Sequence, residues 1–244
     1  MNKTLLTMLV SLAVTLPVAA QTPTSTRFGE EVRDFREKVQ ETRETFKGEV
    51  QQRLEDFRTF NEKTRTDFRA MVEQKRATAQ QQLEAKRAEL KTRLQTVRDE
   101  KKKEIVERIY DKLNDINKNR TDHFSAVVDK IEKVLERVVS RTDKASDRGL
   151  DVAGVRTAVE AAKTAIAAAR AAIEAQAGKT YSISVTTEQK LKEAAEAARK
   201  ALHDDLNKVK EAVKAAHEAV RKAAVALAQI PRVDEDAATT TPGN

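Results

Sequence analysis

The 244 residues are enough for one or two domains, and 35% charged side chains, 4% aromatics, no Trp and no Cys exclude a disulfide-stapled module and argue against an ordinary compact core. The formal charge is +7, yet acids and bases alternate finely, which describes a solvated helix surface better than a nucleic-acid face. Six Gly and four Pro are few, and no Pro lies between Thr24 and Ile230, so burial is expected from helix-on-helix seams.

Residues 1–20 read as a secretory signal peptide. Lys3 supplies the positive start, Leu5 to Leu16 the apolar stretch, Pro17 a break, and Val18-Ala19-Ala20 a small-residue cleavage site after Ala20. No Cys stands at the junction, and no other apolar run approaches the ~20 residues that span a bilayer. The mature chain is therefore expected to be exported to the periplasm, cell surface or medium and soluble, unless the leader stays uncut as an anchor. Gln21 to Thr26 is a polar, Pro-containing lead-in, expected to be disordered.

From Thr26 onward the chain reads as one very long amphipathic helix with no strong stop before Gly149. Steps of eleven from Val39 pass through Val50, Asn61, Val72, Leu83, Leu94, Ile105, Ile116, Val127 and Val138. A parallel track four residues upstream holds Phe35, Phe46, Phe57, Phe68, Ala79 and Leu90, then fails at Lys101. Eleven residues make three turns, so the two tracks form one apolar ridge. Gly48 inside it costs about 1 kcal/mol, which a long helix absorbs. Unbroken, some 120 residues would make a rod of about 180 Å. Glu49–Arg53, Glu89–Arg93, Asp99–Lys103, Glu104–Arg108 and Asp129–Lys133 sit at i, i+4 spacing and would keep the outer faces solvated at ~0.2–0.5 kcal/mol per pair.

Asn114 to Asp122 (NDINKNRTD) is the weakest helical stretch, because Asn and Asp compete for backbone hydrogen bonds. Ile116 keeps the eleven-step, which favours continuity over a new start at Thr121 or Asp122. The Asn119-Arg120-Thr121 sequon is read as chance. From Phe124 a heptad seam follows, with Val128, Ile131, Leu135 and Val138, flanked by Val127 and Val134. Gly149 suits a left-handed helix end, and Asp151 can cap the next helix. That helix, about 152–177, turns Val155, Val159, Ala162, Ile166, Ala169 and Ile173 to one side, and Gly178 ends it.

Lys179 to Val185 (KTYSISV) is the only strand-like piece, with Tyr181, Ile183 and Val185 on alternate positions. An ordered connector outweighs a strand that pairs with a partner's edge. Thr186 and Gln189 fit a capping box before the last helix, about 188–229. Its inner side holds Leu191, Ala195, Ala198, Leu202, Leu206, Val209, Val213, Ala216, Val220 and Leu227, and Pro231 stops it. Residues 231–244 form a polar tail. The two Ala-rich helices should pair antiparallel, with the overhang of the longer one covered by the Phe124–Val138 seam.

The expected architecture is all-α: a long helical rod over 27–121, then a helical hairpin or three-helix bundle over 122–230, with helices at about 122–148, 152–177 and 188–229 joined by an extended link at 179–186. On this reading nothing in the chain folds back on the rod, so its ridge needs a companion. The residues expected to meet it are Phe35, Val39, Phe46, Val50, Phe57, Phe68, Val72, Leu83, Leu90 and Leu94. A second copy of the chain is the first candidate, an envelope or client protein the second, and a membrane surface the third. Against lipid, the polar faces mix Glu and Asp with Lys and Arg.

No catalytic constellation is present. The chain lacks a Gly-rich phosphate loop, HExxH and GxSxG. A di-metal bundle needs Glu three residues before His, and the residues before His123, His203 and His217 are Arg120, Lys200 and Lys214. His203 beside Asp204 and Asp205 reads as surface, and Lys101-Lys102-Lys103 as a solvated face. No enzyme activity, metal, cofactor or nucleic-acid partner is expected. The run GKTYSISV between two Ala-rich helices, the following ARKALHDDLNKVKEAVKAAHEAVRKAAVALAQIP, and RIYDKLNDINKNRTDHF resemble a group of predicted exported helical proteins of small-genome bacteria. The likeness spans Ile105 to Pro231 and implies a helical fold and export, with no assigned activity. A looser likeness is to periplasmic holdase chaperones with helical arms, whose β-rich trimerisation core this chain lacks. The expected role is a non-enzymatic, self-associating scaffold of the cell envelope; the alternative is a chaperone-like or adhesin-like binding module.

Overall fold

The computed structural model describes residues 25–231 and 233, with side chains described from Gly29 on except at Val50 and Arg232. The leader, its Ala20 junction and most of the lead-in and tail lie outside the described residues. The described secondary structure is all helical: α1 Ser25–Leu94, α2 Glu100–Asp147, α3 Ala153–Ala177, a single three-ten turn Glu188–Lys190, and α4 Leu191–Ala228. None of the helices is long and apolar enough to cross a membrane, among the described residues. The chain divides into two units, residues 1–51 and residues 52–244.

The second unit is an up-down-up-down bundle. The order of cross-helix ion pairs fixes the directions: Arg65 meets Glu132, Arg76 meets Asp122 and Arg87 meets Asp111, so α1 and α2 are antiparallel. Arg156 lies beside Asp143 and Arg170 beside Glu132, so α3 turns back along α2. Glu188 before α4 reaches Lys102 at the start of α2, and Arg148 at its end reaches the Val233 carbonyl, so α4 runs parallel to α2.

The long helix of the sequence reading is broken. It stops at Leu94, and α2 starts at Glu100. The turn needs neither Gly nor Pro. Residues 95, 96 and 97 close with three-residue hydrogen bonds, Val97 plugs the apolar interior at 2% exposure, and the Asp99 carboxylate accepts from the Lys102 N–H at 3.2 Å as an N-cap. Asp99 is thus a cap and not the surface partner of Lys103, which pairs with Glu100. The break also resets the helical phase. Ile105 and Ile116 are exposed, and α2 instead buries Val106, Tyr110, Leu113, Asn117 and Thr121. The helix does run unbroken through Asn114 to Asp122.

Two apolar clusters form. One joins Phe68 and Val72 of α1 to Val128, Ile131, Leu135 and Val138 of α2 and to the inner faces of α3 and α4. Ala162, Ala169, Ala216 and Ala223 are fully buried there, and such small side chains let the helix axes approach closely. The other cluster joins Leu90, Leu94, Val97, Val106, Tyr110 and Leu113 to Leu191, Ala195, Ala198 and Leu202 of α4. Tyr181, Ile183 and Val185 of the link complete it, so the link is an ordered extended connector that takes the place α3 vacates. The overhang of α4 is therefore covered by the end of α1, the start of α2 and the link, not by the Phe124–Val138 seam.

The helix ends follow local chemistry. Gly149 has φ of +76°; its N–H donates to the Ser146 carbonyl and the Leu150 N–H to the Ala145 carbonyl, the paired bonds of a left-handed helix stop. The Asp151 carboxylate accepts from the Ala153 N–H at 3.0 Å. The expected Thr186–Gln189 box is replaced. Thr187 precedes the three-ten turn without a side-chain cap, and Glu188 instead accepts from the Arg98 N–H at 3.1 Å and pairs with Lys102 at 2.7 Å.

Candidate interaction surface

The ridge residues of the sequence reading fall into two environments. In the first unit Phe35 is 69% exposed, Val39 36% and Phe46 43%. The side chain of Val50 is outside the described set. In the second unit Phe57 and Leu83 are half-buried, and Phe68, Val72, Leu90 and Leu94 are buried. The companion of this part of the ridge is the chain's own α2, α3 and link. The expectation that nothing folds back on it is corrected, because the turn at Gln95 to Asp99 returns the chain along α1.

Beside the ridge, on the side facing α2, runs a basic edge that the sequence reading passed over. Arg65, Arg76 and Arg87 are eleven apart, as the ridge residues are. Arg65 Nε donates to Glu132 Oε2 at 3.1 Å and its other end to Glu136; Arg76 meets Asp122; Arg87 Nη2 meets Asp111 Oδ2 at 2.7 Å. Arg69 joins them, 2.5 Å from Asp129. On α2 the acids keep nearly the same spacing: Asp111 and Asp122 are eleven apart, and Glu132 follows ten later. The other flank of the ridge meets α3 and the link, through Lys75 to Glu174 at 4.0 Å and Lys86 to Thr180 at 2.5 Å. The signal was readable: stepping by eleven from Arg43 gives Leu54, Arg65, Arg76, Arg87 and Arg98.

Among the described residues Glu132 is the most enclosed charge. Its Oε2 accepts from Arg170 Nη2 at 2.6 Å as well as from Arg65, and the Arg170 guanidinium stands 5.3 Å from the centre of the Phe68 ring. Burial pushes the Glu132 carboxyl above the usual range, against the opposing pull of Arg170 and Arg65. Burial weakens the hold of Arg65 on its proton, but Glu132 and Glu136 outweigh that and raise it. The three groups bind α1, α2 and α3 at one level. Next to them a cleft of about 570 Å³ opens between α1 and α3, walled by Phe57, Phe60, Met71 and Ile166.

Between the two apolar clusters lies a polar layer. Asn117 Nδ2 donates to the Gln176 and Lys179 carbonyls, at 3.2 and 3.1 Å. Gln176 Nε2 donates to Asn117 Oδ1 at 2.8 Å and to the Tyr181 hydroxyl at 2.7 Å, which donates in turn to Asp205 at 3.0 Å. Asn114 clamps the backbone of Tyr181, giving an N–H to its carbonyl and accepting from its N–H, both at 3.0 Å. Burial pushes the Tyr181 hydroxyl far up, so it stays a donor. Lys179 beside Asp205 holds that carboxyl below its ordinary range, helped by Lys208 and Tyr181. Burial draws the Asp122 carboxyl up, but Lys118 and Arg76 outweigh it and hold it down. A second cleft, about 650 Å³, lies over this layer between α1 and α2. Several of the charges that line it stitch helices together: Arg76 to Asp122, Arg87 to Asp111, Lys179 to Asp205.

His123, His203 and His217 are all exposed, and Asp204 and Asp205 pair with Lys200 and Lys179, not with His203. Among the described residues no three His, Asp or Glu side chains are grouped to hold a metal ion. No family model, no curated protein and no solved structure matches this chain.

Proposed function

We propose that the protein is a non-enzymatic scaffolding and docking protein, acting outside the cytoplasm, whose residues 29–49 present a helix face for another protein. The observation that carries this reading is the contrast along α1. Phe35, Val39 and Phe46 are exposed, while Phe68, Val72, Leu90 and Leu94, in the same eleven-residue register, are buried. Each large apolar side chain left in water forgoes ~1.5–3 kcal/mol of burial, so three of them in one stripe favour a covering surface. The leader read in residues 1–20 supports the extracytoplasmic setting. The engagement of Arg76, Arg87, Asp111 and Lys179 of the second cleft in ion pairs between elements supports a structural use of those four groups over a catalytic one.

The test is a photo-crosslinker in place of Val39, in the full chain alone and in envelope extract, with light-scattering mass alongside. Capture of a protein chain at position 39, lost in Phe35→Asp with Phe46→Asp while helix content and melting stay unchanged, is the expected result. Capture of nothing in either setting, or unfolding of the bundle by the double substitution, overturns the reading.

A further inference from the structure

We infer that the surface formed by Phe35, Val39 and Phe46 takes an acidic-edged amphipathic helix, running antiparallel to α1, as its partner. The inference rests on the docking reading above and names the chemistry of the occupant. Along α1 the ridge recurs in steps of eleven with an arginine beside it at Arg43, Arg65, Arg76 and Arg87, the step between the first two being Leu54, and in the second unit the structure shows what that pattern binds. Arg65, Arg76 and Arg87 each meet a carboxylate on α2, which runs antiparallel with its apolar seam on the ridge. Arg43 stands two, three and four eleven-residue steps before these arginines, and Lys47 two steps before Arg69. The first unit therefore carries the same ridge and the same basic edge.

The charge of that edge is only partly spent along its own helix, where Lys47 has Glu44 three residues before it. Arg36 and Arg43 have no acid three or four residues away in either direction, the only spacings that meet on one helix. Both are exposed, as is Lys47. A second copy fits this edge poorly. Two antiparallel copies bring the same side of each helix together and set basic edge on basic edge, and two parallel copies in register set Arg43 against Lys38. The acidic edge of α2 is engaged in its own fold. An anionic membrane fits poorly too, because residues 29–49 hold seven acids and five bases. A helix with an apolar seam and carboxylates ten to eleven residues apart meets both the ridge and the edge, as Asp111, Asp122 and Glu132 of α2 do.

The probe is a synthetic peptide of α2, residues 100–147, offered to the full chain carrying the photo-crosslinker at position 39. A control peptide has Asp111, Asp122, Glu132 and Glu136 changed to Lys. Crosslinking at position 39 by the acidic peptide is expected, about tenfold weaker in a chain with Arg36→Glu, Arg43→Glu and Lys47→Glu, as three exposed ion pairs imply. It should weaken as salt rises from about 0.05 to about 0.5 M. Equal crosslinking by the lysine peptide overturns the inference. So does a chain that crosslinks to its own copy and is not displaced by the acidic peptide, or one that crosslinks only to anionic phosphatidylglycerol vesicles; the self-copy result leaves the docking reading standing. Absence of any crosslink, with peptide, copy or extract, removes both.

Discussion

Residues 29–49 and residues 62–94 of α1 are written in one pattern and live in two environments. Both carry an apolar pair in steps of eleven with an arginine beside it, once in the earlier stretch at Arg43 and three times in the later one, and both are helical. In the later stretch α2 and α3 cover the apolar pair, and carboxylates of α2 answer the arginines. In the earlier one the apolar side chains are exposed. An amphipathic pattern therefore states what a helix face can bind. Whether its own chain supplies the binder depends on where the chain turns, and that turn lies at Gln95 to Asp99.

The sharpest way to break the comparison is to put a charge on each side of it. Phe68→Asp should cost about 3–5 kcal/mol in urea unfolding, since it removes a packed ring from the apolar cluster and buries a carboxylate that Arg170 only partly offsets. Phe35→Asp, on the same register in the exposed stretch, should stay within about 0.5 kcal/mol. Equal effects at the two positions would erase the distinction.

The buried charges sharpen it further. Glu132→Gln leaves Arg170 without its counter-charge and Arg65 with Glu136 alone, and should cost about 1–3 kcal/mol. Changing Arg65 and Arg170 to Met together with Glu132→Leu should recover that loss in the same denaturation assay. Tyr181→Phe takes the hydroxyl from between Gln176 and Asp205 and should cost about 1 kcal/mol, read as a lowered melting temperature.

The smallest effect is in acid. Asp122 and Asp205 have depressed carboxyl pKa values in the fold, so the stability they add is present above the ordinary Asp value of about 4 and is lost as pH falls through their lower folded values. Glu132 is raised, so its contribution has the opposite sign: it is present below its unfolded value and lost as pH rises through the folded one. Melting followed by circular dichroism should show a modest fall below about pH 4 that Asp122→Asn with Asp205→Asn flattens. A steeper fall in the double variant than in the native chain would contradict this assignment.

The inner faces of α3 and α4 were legible in the sequence because each carries one apolar stripe at helical spacing and ends at Gly178 or near Pro231. The seam at Val128, Ile131, Leu135 and Val138 was legible for the same reason. The break after Leu94 was not, because a capping Asp99 and an inward Val97 look like any other helical residues until a neighbour is placed beside them. That break shifts the helical phase, which is why the eleven-step from Leu94 lands on the exposed Ile105 and Ile116. Asn114, Asn117 and Thr121 read as weakness in a helix seen alone, whereas inside the bundle Asn114 binds the link, Asn117 the end of α3 and the link, and Thr121 accepts from Arg76 of α1. Of the candidate interface, the ridge was legible, but which part of it the chain covers itself was not.

The connector between α3 and α4 counts in odd and even. Its side chains alternate, so Tyr181, Ile183 and Val185 share one side only while the number of residues between the Asn114 clamp and the Glu188 anchor keeps its parity. Deleting Ser182 alone would turn Ile183 and Val185 to solvent, whereas deleting two neighbours would keep the inside inside and shorten the span by about 7 Å. A helix in that place would have met the same deletion with a rotation of about 100°. Evolution can therefore lengthen or trim this segment only in pairs.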